Sequence, residues 1–135
     1  MPIPFLRCMV LAASFYGLPP RVLPSIQAVE GGAPGIVHAD TNGTADLGVM
    51  QVNTLWIPPL VRFTHLAPDV VRARLLGDGC FNIAAAAAIL RTYLDETHDL
   101  MRAIGDYHSH TPVLNHTYQL EVVAAARRLF LGEQR

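Results

Sequence analysis

Residues 82–94 read NIAAAAAILRTYL, with five consecutive alanines between larger apolar side chains. Alanine has the highest helix propensity, and its small side chain lets neighbouring helices approach closely. We therefore expect this segment to be a central packing helix, around which the remaining elements are arranged, and not a low-complexity linker.

Helical patterns extend on both sides of this alanine run. Turn and breaker residues divide them into predicted helices at 4–16, 20–30, 68–76, 99–108 and 113–131. A further short helix is expected to begin at Asp46 as its N-cap, to carry Met50, Gln51 and Asn53, and to end at Pro58-Pro59. The pair Asn42-Gly43 is a strong turn signal that could close a small β-hairpin.

These patterns define an expected fold class. The prediction is a mainly α-helical single domain over residues 1–135, with six or seven helices and at most a minor β-hairpin. Apolar residues make up 51% of the chain, which is enough for a packed core, and the formal net charge of −1 argues against a nucleic-acid-binding surface.

The sequence also bears on membranes and export. No uninterrupted apolar run approaches the length of a bilayer span, so no membrane-spanning helix is expected. Met1 to Arg7 followed by residues 8–18 has the outline of an export leader. However, Gly17-Leu18-Pro19-Pro20 resembles a helix stop and restart more than a cleavage site, so we expect a structural first helix.

Glu30 is the leading candidate for chemistry. It ends the apolar helix predicted at 20–30, where the negative end of the helix dipole disfavours the carboxylate ion and raises its pKa. Such a group suits general acid catalysis. The alternative is a solvent-facing glutamate paired with a nearby arginine.

Two later segments offer partners for this acid. In the first, Gly48 suits close approach of a ligand, and Gln51 can both donate and accept hydrogen bonds. In the second, Tyr107 could bind the catalytic carboxyl or the substrate, or it could belong to the core with its hydroxyl reaching water.

Other residue sets leave alternatives open. His108, His110 and His116 could supply three imidazoles to zinc, although their spacing matches no strong motif. Asp40 and Asp46 are candidate second carboxylates for a hydrolase, while a solvated turn and a helix N-cap are the simpler roles for them. Cys8 and Cys80 are either two unrelated buried thiols or a disulfide, which would fit an oxidising compartment.

Taken together, three segments in order resemble the soluble lytic transglycosylases of the lysozyme-like superfamily. They are Tyr16-Gly17-Leu18-Pro19-Pro20 through Glu30, Gly48-Val49-Met50-Gln51-Val52-Asn53, and Tyr107-His108-Ser109. The closest likeness is to the small branch that accompanies conjugation and type IV secretion systems. Further matching residues are Asn42-Gly43-Thr44-Ala45-Asp46, Cys80-Phe81-Asn82-Ile83, Thr111-Pro112, Asn115 and Tyr118, so that the likeness covers about residues 5–130.

Three positions depart from the family pattern. Gly31 stands where many relatives have a serine that steadies the acid, Val49 where leucine is commoner, and His108 where broader relatives have asparagine. The replacement of serine by Gly31 is the best argument for a different reading, a non-catalytic peptidoglycan-binding or assembly module.

The resemblance implies an activity and roles for residues. A lysozyme-like domain of this kind cleaves the β-1,4 bond between N-acetylmuramic acid and N-acetylglucosamine and leaves a 1,6-anhydro end. Glu30 would be the acid and base, and Tyr107 would orient its carboxyl. Substrate-binding roles would fall to Gly48, Met50, Gln51, Asn53, His108 and Asn115.

The same resemblance implies that no metal or organic cofactor is needed. The expected partners are peptidoglycan glycan strands and components of a secretion or conjugation apparatus, and the expected location is the periplasm or outside the cell. The rival enzyme is a hydrolytic muramidase in which Asp40 or Asp46 activates a water molecule.

Overall fold

The computed structural model describes residues 2–133, and these residues are mainly α-helical with a small antiparallel sheet. This confirms the predicted fold class. Seven α-helices are found in the described residues: α1 (Leu6–Tyr16), α2 (Val22–Glu30), α3 (Ile57–Thr64), α4 (Pro68–Gly77), α5 (Gly79–Thr97), α6 (Leu100–His108) and α7 (Pro112–Leu131). The three strands are β1 (Val37–Ala39), β2 (Ala45–Leu47) and β3 (Val52–Asn53), followed by a short 3₁₀ turn (Thr54–Trp56).

The alanine-rich segment forms the central part of α5, which is longer than predicted at both ends. The Asp78 side chain caps its N-terminus by accepting a hydrogen bond from the Phe81 N–H at 3.0 Å. Ala85, Ala86 and Ala87 are buried, and α1, α4 and α6 all pack against this helix. The small alanine side chains therefore allow several helices to pack closely against α5, as predicted.

The segment between residues 45 and 53 differs from the prediction. Instead of a short helix capped by Asp46, it forms β2, a tight turn and β3, in a sheet of order β1-β2-β3. Gly48 and Gln51 both have positive φ, of 72° and 53°. A right-handed helix cannot continue through such residues, because the left-handed region reverses the course of the backbone.

Two predicted turn signals have different outcomes. The Asn42-Gly43 turn does connect β1 to β2, and the Asp40 N–H donates to the Thr44 carbonyl at 2.9 Å beside it. Pro58-Pro59 does not end a helix but lies in the first turn of α3. Proline is tolerated there because the first N–H groups of a helix have no partner within it.

A disulfide joins Cys8 of α1 to Cys80 of α5, with Cα atoms 5.4 Å apart. It links residues 72 positions apart in the sequence, so α1 is covalently attached to the central helix. Among the described residues, no single helix is long and apolar enough to cross a bilayer; α4 and α5 pass that test only as a pair, which is bent by 105°.

Candidate active site

A cleft of about 530 Å³ runs between the small sheet, α5 and the C-terminal end of α6. Its walls combine acidic, amide and aromatic side chains, and Glu30 at the end of α2 is one of them. Of the other predicted site residues, Gln51, Asn53, Tyr107 and His108 also line the cleft.

The sequence around Glu30 explains its position. Leu23 and Ile26 anchor the preceding helix in the core, and Gly31 ends that helix with φ 67° while its N–H donates to the Gln27 carbonyl at 2.8 Å. A serine at this position would be strained by the positive φ, which gives a structural reason for the glycine.

The Glu30 carboxyl is held by a tyrosine from α7. The Tyr118 hydroxyl donates to Glu30 Oε2 at 2.6 Å, and Tyr118 itself is only 3% exposed. Burial raises the pKa of Glu30 from 4.5 to about 7; the Tyr118 hydrogen bond lowers this pKa, whereas the nearby charges of Asp46 and Glu121 raise it. The group is therefore suited to exchange a proton near neutral pH.

The predicted partner of the acid, Tyr107, has a different contact. Its hydroxyl donates to the Met50 carbonyl at 2.8 Å and so fixes the turn between β2 and β3. Burial, followed by the charge of Glu30, raises the Tyr107 pKa well above its ordinary value. The prediction that Tyr107 orients the Glu30 carboxyl is thus corrected, because Tyr118 makes that contact.

Gly48 and Met50 do not face the cleft, contrary to the prediction. Met50 is fully buried, and a Cβ on Gly48 would lie 2.2 Å from the Leu75 carbonyl oxygen. Buried Asn82 of α5 organises this turn: its Nδ2 donates to the carbonyls of Leu47 and Leu75 at 2.7 and 2.8 Å, and its Oδ1 accepts from the Met50 N–H at 2.8 Å. Gly48 therefore serves close packing against the protein, not close approach of a ligand.

Gln51 and Asn53 do reach the cleft. The Gln51 side chain donates to the Gly48 carbonyl at 3.0 Å. The Asn53 amide donates to Asp46 Oδ1 at 3.0 Å and to Asp40 Oδ2 at 3.2 Å. Asn53 therefore holds two carboxylates on the sheet side of the cleft.

Asp46 is not a helix N-cap but a second acidic group of the cleft. Burial raises its pKa, the Asn53 hydrogen bond opposes that shift, and the charge of Asp40 adds to it. The charge of Asp46 in turn contributes to the raised pKa of Glu30.

The remaining predicted site residues separate into two groups. His108 is exposed at the cleft and stacks on the Tyr118 ring, with centroids 4.9 Å apart. Asn115 does not face the cleft: its amide donates to Asp106 Oδ1 at 2.9 Å, and it packs so tightly on Gly105 that a Cβ there would lie 2.0 Å from Asn115 Oδ1. Asn115 therefore connects α7 to α6 and, contrary to the prediction, does not line the cleft.

The histidines predicted as possible zinc ligands are not grouped as a metal site in the described part of the chain. No cluster of three or more His, Cys, Asp or Glu side chains with metal-binding geometry occurs there. His110 instead packs edge-on against Tyr93, with ring centroids 5.3 Å apart.

An aromatic wall completes the cleft, and the sequence did not single it out. Trp56 and Tyr93 meet edge to face at 5.8 Å, and His110 extends this row. Trp56 is the one tryptophan in the chain, and it is the residue from which this wall could have been suspected. Rings with an apolar face and a polar edge suit a ligand that presents both, such as a sugar.

Models of known protein families give no match to this chain, and neither does a search of curated proteins. One sheltered carboxyl with a near-neutral pKa, faced by amides, acids and aromatic rings, can protonate a leaving group on a neutral polar ligand.

Proposed function

We propose that this protein is a peptidoglycan lytic transglycosylase, which cleaves the β-1,4 bond between N-acetylmuramic acid and N-acetylglucosamine and forms 1,6-anhydro ends. The observation that carries the proposal is the Glu30 carboxyl: it is sheltered at the cleft, held by Tyr118, and has a pKa of about 7. The order of family-like segments described above adds to this support.

The proposed reaction uses one carboxyl group twice. Protonated Glu30 donates its proton to the glycosidic oxygen as the bond to C1 breaks, and positive charge develops on the muramic acid ring. The ionised carboxylate then removes the proton of the C6 hydroxyl, whose oxygen bonds to C1. The proton lost in the first step is regained in the second, and no water molecule is consumed.

Other cleft residues have supporting roles in this proposal. Tyr118 orients the acid, and Tyr107 fixes the backbone turn that carries Gln51. The aromatic wall would contact the apolar face of a sugar ring, while Asn53 and the two carboxylates it holds would bind hydroxyl or amide groups.

A hydrolytic muramidase is the second candidate, and one observation favours it. Asp46 lies in the cleft close enough to Glu30 to raise its pKa, and Asn53 holds it in place. In that reaction, an ionised Asp46 or Asp40 would activate a water molecule. The products distinguish the two candidates, since hydrolysis adds a water molecule and transglycosylation does not.

Purified peptidoglycan sacculi provide the test. The wild-type protein should release anhydromuropeptides, and Glu30→Gln should abolish this release, because the amide keeps the shape of the side chain but cannot supply the proton. Glu133→Gln is the matched control, since Glu133 is an exposed carboxylate that does not line the cleft. Equal turnover by wild type and Glu30→Gln would reject the assignment. Binding to sacculi without turnover would favour the non-catalytic module.

The proposed setting is the periplasm or the cell exterior, where the enzyme would open the wall locally for a secretion or conjugation apparatus. The disulfide between α1 and α5 supports an oxidising compartment. The apparatus itself follows only from the family resemblance.

A further inference from the structure

One face of α1 is not covered by any described part of the chain. The opposite face of this helix enters the core through Met9, Ala12 and Ala13. The uncovered face carries four large apolar side chains, which are Leu6, Val10, Leu11 and Phe15, with exposed fractions of 47%, 51%, 63% and 80%. We call these four residues, together with Arg7 among them, the outer face of α1.

The outer face belongs to a helix that is firmly attached to the domain. Cys8 is bonded to Cys80 of α5, and the Tyr16 carbonyl accepts a hydrogen bond from Arg91 at 3.4 Å. The apolar side chains are therefore presented by an anchored helix, and not by a segment that could fold back to bury them.

The size of this face limits what can cover it. Taking about 200 Å² for a large aromatic side chain, Phe15 alone exposes about 160 Å² at its exposed fraction of 80%. The four side chains together reach the few hundred Å² above which apolar patches are rare on monomers. A stable dimer needs about 800 Å² from each partner with a polar rim, and one convex helix provides roughly half of that area.

The charge of this region favours an anionic partner. Residues 2–29 contain two arginines, Arg7 and Arg21, and no aspartate or glutamate. Arg7 lies on the outer face, three and four positions before Val10 and Leu11. In a two-fold dimer, this face would bury Arg7 against an identical face that has no carboxylate to pair with it.

An anionic lipid surface can bury the apolar side chains of the outer face and also pair with the charge of Arg7. An apolar helix can lie in the plane of the interface with its large side chains below the headgroups, while an arginine extends to the phosphates. Basic residues are attracted to anionic leaflets in addition. We propose that the outer face of α1 binds an anionic lipid surface, with α1 lying in the plane of the headgroups and the cleft left free.

Vesicle flotation with the intact, oxidised protein tests this proposal. Vesicles of phosphatidylcholine with about 30% phosphatidylglycerol should bind the protein, more strongly than phosphatidylcholine alone, and binding should weaken between about 0.1 M and about 0.5 M salt. The double variant Leu11→Gln/Phe15→Gln should reduce binding by about tenfold or more. Phe63→Gln, on α3 and 70% exposed, should leave binding unchanged.

A second pair of variants tests the charge. Arg7→Gln should weaken binding severalfold on anionic vesicles and little on phosphatidylcholine, whereas Arg62→Gln on α3 should have no effect. Thermal melting of each variant verifies folding, and only exposed side chains are changed. No vesicle binding by the wild type would overturn the proposal, as would equal losses in the α3 controls. Self-association in solution that the double variant abolishes, without binding to vesicles, would also overturn it and identify a dimer interface.

Discussion

Glu30→Gln should stabilise the folded protein at alkaline pH, although it removes the proposed acid. The unfolded carboxyl has its ordinary pKa of 4.5, and burial raises the folded value to about 7. Below the lower value, Glu30 is protonated in both states and contributes no pH dependence. As pH rises to about 7, ionisation favours the unfolded chain, and stability is lost.

The size of this effect follows from the two pKa values. At 1.36 kcal/mol for each pH unit, the difference between 4.5 and about 7 corresponds to about 3 kcal/mol. The glutamine does not ionise, and its amide oxygen can still accept the Tyr118 hydrogen bond. The variant should therefore be more stable than the wild type by about 3 kcal/mol near pH 8.5, and by about 1 kcal/mol near pH 5.

Urea unfolding of both proteins at the two pH values measures this difference. Glu133→Gln serves as the control, because Glu133 is exposed and does not line the cleft. Comparison with the same wild-type protein removes the contributions of other titrating groups. A difference in unfolding free energy between Glu30→Gln and wild type that does not change with pH would refute the assignment of a raised pKa to Glu30.

Three further predictions concern the residues that support the site. Tyr118→Phe removes the hydrogen bond that lowers the pKa of Glu30, so the alkaline fall in peptidoglycan cleavage should move to higher pH and turnover should drop by about tenfold. Tyr107→Phe should leave the pH of this fall unchanged, and equal shifts in the two variants would contradict the different roles of the two tyrosines. Asn82→Ala leaves three buried backbone groups without their partner and should cost about 3–5 kcal/mol in urea unfolding, whereas a cost below about 1 kcal/mol would contradict this role. Reduction of the disulfide, which spans 72 positions, should cost up to about 4 kcal/mol by the chain-entropy model, and an unchanged melting temperature after reduction would show that it contributes little.

Helices were predictable where the signal is local. The alanine run and the glycine at position 31 act within one or two turns of the chain, so the middle of the central helix and the end of α2 could be inferred from the sequence. The turn at residues 48–51 was not predicted, because its form depends on buried Asn82, which lies more than 30 positions further along the chain. The Asn82 side chain binds the backbone of this turn and also the backbone of Leu75.

The candidate acid Glu30 could be selected from the sequence, but its neighbours in the cleft could not. Glu30 is identified by its place at the end of an apolar helix, which is a local feature. Choosing between Tyr107 and Tyr118 as its partner requires the packing of α7 against α2, since the bonded tyrosine lies 88 positions from the acid. Gly48, Met50 and Asn115 are typical of the family-like segments, yet their contacts are internal.

Cleavage of sacculi in water enriched in heavy oxygen tests most directly whether one carboxyl performs both proton transfers. If Glu30 protonates the leaving oxygen and then deprotonates the C6 hydroxyl, mass spectrometry should find anhydromuropeptides without the heavy isotope. Reducing ends that carry the heavy oxygen would contradict this account and assign water activation to the carboxylates held by Asn53.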